Sequence, residues 1–192
     1  MEKYAKQKWD AIYATTNAAQ IQPTNILVEY EYLLPTTGIA LDIACGLGGN
    51  AIFLAQHGLN THAWDISEQA IKKLAGFCES NNLQVKARVR DVQAHPPIAN
   101  SFDVICVSYF LERDIVNNII AALKPNGLLF YQTFIHEKVS EHGPSNPKYR
   151  LGENELLSLF SPLHVLLYQE LGCVGKTNQG LRDSALLGAQ KR

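Results

Sequence analysis

The chain has 192 residues, of which 46% are hydrophobic and 18% charged, with a formal net charge of −1. This length fits one domain, and the composition is that of a chain with an apolar core. The near-neutral charge provides no general attraction to nucleic acid or membrane, and no apolar run is long enough for a membrane span. The four cysteines lack metal or redox spacing, which favours reduced thiols in a cytoplasmic protein with no bound metal.

The N-terminal segment, residues 1–35, is predicted to be a helical arm. Large side chains are spaced helically over residues 3–14, and a second short helix is expected over residues 26–34. The aromatic residues Trp9 and Tyr13 suit two roles. They either anchor the arm on the body of the protein or close over a bound ligand as a lid that excludes water.

The first predicted strand, residues 39–43, is apolar except for Asp42. A short apolar run bounded by glycines is typical of a buried parallel strand. The small residues of 44–49 allow a tight turn and close approach of the backbone to a ligand. Residues 51–56 form an amphipathic run, so a helix N-terminus should face that ligand. A carboxylate at Asp42 suits a positively charged ligand better than a pyrophosphate.

The stretch from Leu41 to Ala51 resembles motif I of class I S-adenosylmethionine-dependent methyltransferases. Its pattern D-x-x-C-G-x-G-x-N-A is similar, more narrowly, to the branch that contains the tellurite-resistance methyltransferases. Ala44 replaces the glycine usual in this motif, and Gly49 replaces the common arginine. The resemblance implies S-adenosylmethionine as the cofactor, bound by Asp42, Ala44, Cys45, Gly46, Gly48 and Asn50.

A second acidic residue, Asp65, comes directly after the second predicted strand, residues 59–64. A carboxylate about twenty positions after a glycine loop typically accepts hydrogen bonds from both ribose hydroxyls. Asp65 could instead cap the next helix, residues 67–81, but Ser67 already supplies that cap. We therefore assign Asp65 and the neighbouring Ile66 to the cofactor site, although a ribose contact does not distinguish S-adenosylmethionine from NAD.

The third predicted strand, residues 85–89, is followed by Asp91 and Val92. The resemblance implies that Asp91 accepts a hydrogen bond from the adenine amino group. It also implies that the Val92 amide meets a ring nitrogen. A purely turn-forming role for Asp91, before Pro96, stays open at this stage.

The fourth predicted strand, residues 102–107, ends at Ser108 and Tyr109. Ligands of parallel sheets bind at the carboxyl ends of the strands, so both residues are assigned to the cofactor site. The ring of Tyr109 could attract a sulfonium by a cation–π interaction. The segment lacks the Asn-Pro-Pro-aromatic motif of many nucleic-acid base methyltransferases, which disfavours such substrates.

The remaining elements complete the predicted sheet. A helix is expected over residues 112–123, a strand over 128–134 and a short helix over 153–160. The polar segment 135–152 is long for a compact domain and should overhang the site. The chain then closes with two strands that have no helix between them, residues 164–170 and 184–189.

The resemblance implies an α/β fold with a doubly wound, seven-stranded, mostly parallel sheet of the Rossmann-like methyltransferase type. Its strand order is 3-2-1-4-5-7-6, with strand seven antiparallel. We interpret residues 1–192 as a single methyltransferase domain. Its parts are the arm or lid (1–35), the cofactor-binding core (36–134), and the overhanging loop, helix and C-terminal hairpin (135–192).

The predicted function is methyl transfer from S-adenosylmethionine to a small acceptor, such as a thiol or chalcogen oxyanion. No residue is evident as a general base, so the catalytic residues stay unassigned, as does the oligomeric state. One alternative is a non-catalytic S-adenosylmethionine-binding or partner-binding domain. An NAD-type oxidoreductase is disfavoured by Asp42, by the missing third glycine and by the C-terminal hairpin. The substrate-binding candidates, chosen from their expected positions, are Trp9, Tyr13, Arg113, Phe134 and Tyr149.

Overall fold

A single sheet of seven strands organises the protein in the computed structural model, which describes residues 2–16 and 22–192. The strands are β1 (Ile39–Ile43), β2 (Asn60–Asp65), β3 (Val85–Val89), β4 (Phe102–Ser108), β5 (Leu123–Phe134), β6 (His164–Glu170) and β7 (Ser184–Gln190). Their order is β3-β2-β1-β4-β5-β7-β6. The first five strands pair in parallel, whereas β7 is antiparallel to both β5 and β6. The predicted fold class and strand order are confirmed.

Six α-helices connect or cover the strands in the described part of the chain. They are α1 (Glu2–Thr15), α2 (Asn25–Glu29), α3 (Gly49–Gln56), α4 (Glu68–Ser80), α5 (Val116–Ala122) and α6 (Glu155–Leu159). The helices predicted over 26–34 and 112–123 are each part α-helix and part 3-10 turn, with the turns at Glu31–Leu33 and Arg113–Ile115. The second turn is capped at its N-terminus, because the Glu112 side chain accepts a hydrogen bond from the Asp114 amide.

Strand β5 begins five residues earlier than the predicted strand at Leu128. Leu123 already pairs with Phe102, and the register then shifts, so that Leu128 pairs with Val104. Asn126 lies in this irregular stretch with φ +65°. Asparagine tolerates the left-handed region better than most residues, so the turn survives without the glycine usual in the resembled family.

Apolar layers cover both faces of the sheet. Phe130 and Tyr131 are neighbours in β5, and their side chains enter different clusters. Tyr131 packs in the cluster that includes Phe160 after α6, and Phe130 packs in the cluster that includes Ile26 of α2. Burial on both faces is expected for a mostly parallel sheet, and it holds the carboxyl ends of the strands in place. No helix within the described residues has the length and apolarity needed to cross a membrane.

Candidate functional site

Asp42 is a fully buried carboxylate near the end of the central strand β1. Its Oδ2 accepts a hydrogen bond from the Ala51 amide in the first turn of α3, at 3.1 Å. Its Oδ1 has no hydrogen-bond partner among the described residues. Burial raises the pKa of Asp42 to about 7. A buried carboxylate with an unpaired oxygen suits a ligand that brings a positively charged donor.

The loop after β1 turns tightly by placing several residues in the left-handed region. Ala44 has φ +53°, Gly46 +52° and Gly48 +84°. The Cys45 amide donates to the Trp64 carbonyl oxygen at 3.0 Å, which ties the loop to the end of β2. Gly48 at the N-cap of α3 has no side chain to cap the helix, so the first turn presents a positively polarised end to the loop, apart from the Ala51 amide that donates to Asp42. The loop can therefore receive polar groups of a ligand at its backbone.

Gly49 and Asn50 join the loop to the N-terminal arm. A Cβ atom at Gly49 would lie 2.2 Å from the Gln22 carbonyl oxygen, which explains a glycine where the resembled family commonly has arginine. The Asn50 Oδ1 accepts hydrogen bonds from the amide and the hydroxyl of Thr24, both at 2.9 Å. Its Nδ2 donates to the Ser108 Oγ at 2.8 Å. Asn50 thus links the arm, α3 and the end of β4.

Asp65 fixes the geometry of the loop from the end of β2. Its Oδ2 accepts from the Gly46 amide and its Oδ1 from the Ser67 amide, each at 2.8 Å. Burial raises its pKa, although these two amides oppose that shift. The Ser67 side chain caps α4 by accepting from the Ala70 amide at 3.2 Å, so the predicted cap is confirmed. The ribose contact of Asp65 stays a prediction.

Helix α1 lies across the loop, and Tyr13 is its point of contact. A Cβ atom at Gly46 would lie only 2.6 Å from the Tyr13 hydroxyl oxygen. Burial and the nearby Asp65 raise the pKa of Tyr13. Trp9 stacks on Tyr13 with ring centroids 5.8 Å apart, but its side chain is 38% exposed. Of the two aromatic candidates, Tyr13 therefore covers the loop and Trp9 supports it.

Polar contacts with α4 hold α1 in this position. The Ser67 hydroxyl donates to the Asp10 carboxylate at 2.6 Å, and the Gln69 amide donates to the same oxygen at 3.1 Å. The Lys73 ammonium contacts the C-terminal end of α1, where a positive charge is favourable. It donates at 2.6–3.0 Å to the carbonyl oxygens of Tyr13, Ala14 and Thr16. Sequence reasoning missed Asp10 and Lys73, which look like ordinary helix-surface charges.

A cleft of about 360 Å³ opens beside β2 and β3, where the adenine contacts are predicted. Asp91 Oδ1 accepts from the Gln93 amide at 2.8 Å, so Asp91 does have the turn role that the sequence left open. Val92 is buried in the core. The adenine contacts of Asp91 and Val92 stay predictions. The cleft is lined by Lys6, Ile66, Arg88, Val89, Arg90, Asp91 and His95.

Tyr109 and Phe134 meet at the carboxyl ends of β4 and β5. Their ring centroids are 4.8 Å apart. Tyr109 has φ +52°, and a bulky residue in this region is a strained feature that clusters at functional sites. The Gln132 side chain donates to the Tyr109 hydroxyl at 2.8 Å and accepts from the Ile26 amide at 3.2 Å. Sequence reasoning missed Gln132, although a glutamine inside an apolar strand was a signal.

The overhanging segment 135–152 packs on this aromatic pair. The His142 ring contacts Phe134 edge-on, with centroids 5.5 Å apart. A Cβ atom at Gly143 would lie 2.6 Å from the Phe134 ring. Through these two residues, the segment packs on the end of β5. His142 contacts the Tyr109–Phe134 pair through Phe134, a contact that was not predicted from the sequence.

Two substrate candidates lie apart from this aromatic group. The Arg113 guanidinium forms a bidentate ion pair with Glu155 and donates to the carbonyl oxygens of Lys148 and Arg150. These contacts anchor the overhanging segment and leave Arg113 committed to it. Tyr149 lies in a 3-10 turn with 46% of its side chain exposed. No hydrogen bond or ring contact among the described residues joins either side chain to Tyr109 or Phe134.

All four thiols are free; three are buried and Cys173 is exposed. Within the described part of the chain, no group of three or more His, Cys, Asp or Glu side chains is arranged to hold a metal ion.

Comparison with known proteins identifies what this arrangement resembles. Residues 41–129 match a family described as a methyltransferase domain. A probable S-adenosyl-L-methionine-dependent methyltransferase, TehB of Haemophilus influenzae, is 29% identical over 146 residues, which are 72% of this chain and 51% of TehB. The chain therefore spans about half the length of that relative.

Solved structures share the fold. The crystal structure of TehB from Haemophilus influenzae superposes with a TM-score of 0.72 and 20% identity, covering 96% of this chain and 67% of that one. A structure described for the conversion of a disulfide bond into a thioacetal group during echinomycin biosynthesis gives 0.73 and 18%, covering 97% and 92%. At these identities, the likeness establishes the architecture.

The left-handed Ala44 leads to a stability prediction. An L-residue in that region loses about 1–2 kcal/mol, which outweighs the extra backbone entropy of glycine in the unfolded chain. Ala44→Gly should therefore raise the free energy of unfolding by up to about 1 kcal/mol in urea titrations. Ala75→Gly, at an exposed position within α4, is the matched control and should lower it by about 1 kcal/mol. Destabilisation by Ala44→Gly would contradict the assignment of strain.

The raised pKa of Asp42 leads to a pH prediction. Between about pH 4 and 7 the native protein retains a proton that the unfolded chain has released, so stability should fall as the pH rises through this window. Asp42→Asn cannot ionise, and it should raise the free energy of unfolding of the ligand-free protein by up to about 4 kcal/mol at pH 8. This difference in the free energy of unfolding between Asp42→Asn and wild type should decrease towards pH 4.

Urea titrations at a series of pH values would measure this difference. Asp114→Asn, at an exposed position in a 3-10 turn, is the control. Profiles for wild type and Asp42→Asn that run parallel across the whole range would show that Asp42 titrates normally.

Proposed function

This chain belongs to the class I S-adenosylmethionine-dependent methyltransferases of the TehB-like branch, and we propose that it transfers a methyl group from S-adenosylmethionine to a small acceptor. The observation that carries the proposal is the buried Asp42 with an unpartnered oxygen beside the glycine loop. When bound, the cofactor supplies a methyl group already activated by its sulfonium. The protein then has to bind, orient and exclude water.

The charges around the loop favour this cofactor over NAD. Asp42 and Asp65 are both buried, and burial raises the pKa of each because the ionised form lacks solvation. A cationic ligand would compensate them, whereas a pyrophosphate would add repulsion. The residues proposed to hold the cofactor are those predicted from the sequence: Asp42, Ala44, Cys45, Gly46, Gly48, Asn50, Asp65, Ile66, Asp91, Val92, Ser108 and Tyr109.

The proposal that the acceptor is small is supported by two elements that cover the site. Helix α1 lies on the loop through Tyr13, and segment 135–152 lies on Phe134 through His142. We propose that these covers exclude water and leave space for a small molecule beside Tyr109. A chalcogen oxyanion, or a thiol that binds as its thiolate, fits the lack of an assigned general base, because a soft anionic nucleophile needs no proton removed in the reaction.

A non-catalytic S-adenosylmethionine-binding domain is the second candidate. The contacts of Asp10 and Lys73 hold α1 down on the loop, and such a closed arrangement also suits a sensor. Turnover separates the two functions. The panel should contain selenite, tellurite and small thiols, and the readout should be release of S-adenosylhomocysteine. Cofactor binding without turnover of any acceptor, including RNA and protein substrates, would favour the sensor.

Cofactor identity is tested by calorimetry. The protein should bind S-adenosylmethionine and S-adenosylhomocysteine and show no heat with NAD. Asp65→Ala should weaken binding by about 1.5–3 kcal/mol, because it removes a charged acceptor. It should also destabilise the fold, since the Gly46 and Ser67 amides lose their partner. Asp114→Ala is the control for the loss of a carboxylate. NAD binding without binding of S-adenosylmethionine would overturn the proposal.

The lid role of α1 is tested by Lys73→Met with Lys72→Met as control. Lys73 donates to three carbonyl oxygens at the end of α1, whereas the neighbouring Lys72 is exposed. Lys73→Met should speed proteolysis within residues 2–16 and the dissociation of S-adenosylhomocysteine, with little change in global stability. Lys72→Met should leave both rates unchanged. Equal rates in the two variants would remove the lid role.

A further inference from the structure

We propose that the acceptor is bound as an anion by the hydroxyl groups of Ser108 and Tyr109, and that the buried amides of Asn50 and Gln132 orient these hydroxyls. The inference rests on the proposed methyl transfer and deepens it by naming the side chains that hold the acceptor. Ser108 and Tyr109 are adjacent at the carboxyl end of β4, where ligands of parallel sheets bind.

The orientation of the Gln132 amide follows from its backbone partner. Gln132 is fully buried, and the side-chain atom nearest the Ile26 amide lies 3.2 Å from it. A backbone N–H can only donate, so this atom is the oxygen. The nitrogen of Gln132 therefore faces the Tyr109 hydroxyl, at 2.8 Å, and donates to it.

The same logic applies to Asn50, which is 5% exposed. The Thr24 amide donates to one side-chain atom of Asn50 at 2.9 Å, which must be Oδ1. The Asn50 nitrogen then donates to the Ser108 hydroxyl at 2.8 Å. Two backbone donors thus fix two buried amides, and each amide presents a donor to a hydroxyl at the end of β4.

A hydroxyl that accepts a hydrogen bond from an amide can still donate its own proton to another acceptor. Neither the Ser108 nor the Tyr109 hydroxyl donates to another described residue. Tyr109 is 43% exposed, so its proton can reach a molecule that enters the site. Hydroxyl donors fixed in advance suit an acceptor atom that carries negative charge.

Arg113, the arginine among the predicted substrate residues, does not compete for this role. Arg113 is committed to Glu155 and to carbonyl oxygens of the overhanging segment. Asp42 and Asp65 would repel an anion until a cationic cofactor compensates them. The anion should therefore bind after the cofactor, and it should bind better to a complex with a cationic ligand.

Calorimetry with sinefungin and selenite tests this inference. Sinefungin carries an ammonium in place of the sulfonium and cannot transfer a methyl group. Selenite should bind the sinefungin-loaded protein more tightly than the ligand-free protein. Tyr109→Phe should weaken selenite binding to the loaded protein at least about tenfold, and by a larger factor than it weakens sinefungin binding, because the lost hydroxyl is the donor proposed for the acceptor. Ser108→Ala should act in the same direction.

Gln132→Met tests the positioning role. It should weaken selenite binding in the wild-type background and have little further effect in Tyr109→Phe, because the two residues act through one hydroxyl. It also leaves the Ile26 amide without a partner, so Tyr109→Phe keeps the proposal testable if this variant fails to fold. Tyr168→Phe is the control, since the Tyr168 hydroxyl contacts Glu170 on β6.

The outcomes separate this inference from the proposed function. No binding of sinefungin would overturn the methyltransferase proposal itself. Binding of sinefungin with unchanged selenite affinity in Tyr109→Phe would overturn only the hydroxyl-bound anion. Turnover of neutral amines or phenols, with none of selenite, tellurite or thiols, would overturn it as well.

Discussion

The buried carboxylate of Asp42 is the constraint on which the site depends. In the centre of the sheet, β1 lies between β2 and β4, and Asp42 is opposite Ala63 on one side and Cys106 on the other. These small neighbours leave room for a polar side chain in an otherwise apolar sheet. One oxygen is satisfied by the first turn of α3. The other oxygen, Oδ1, has no such partner among the described residues, and a bound cation would stabilise it, because an uncompensated buried charge is unfavourable.

The contacts around Asp42 fix the positions of the loop and of helix α1. Asp65 holds the loop by accepting from the Gly46 amide, and Gly46 in turn leaves room for the Tyr13 hydroxyl. Tyr13 belongs to a helix whose end is fixed by Lys73. A chain of contacts therefore runs from the sheet to the cover. The loop geometry and the position of α1 depend on one another, so a substitution in the loop should also shift α1.

The fold was predictable because its signals are local. An apolar strand that ends in small residues, followed by a helix, is visible within the stretch 39–56. The residues that complete the site are harder to predict, because their partners are distant in sequence. Gln132 contacts Ile26, which lies 106 positions earlier, and Lys73 contacts carbonyl oxygens about sixty positions away. Arg113 was assigned from its position after β4, and only its contacts reveal that it anchors the overhanging segment.

The pKa of the Asp42 carboxyl group, measured by carbon NMR and assigned with Asp42→Asn, is the most direct test of a cation site at Asp42. We expect a pKa near 7 in the ligand-free protein, because the group is fully buried. Saturating S-adenosylmethionine should lower this pKa, because the bound cation favours the ionised form. A carboxyl group that titrates near its ordinary pKa of about 4, or one whose pKa is unchanged by the ligand, would show that Asp42 does not bind the cation.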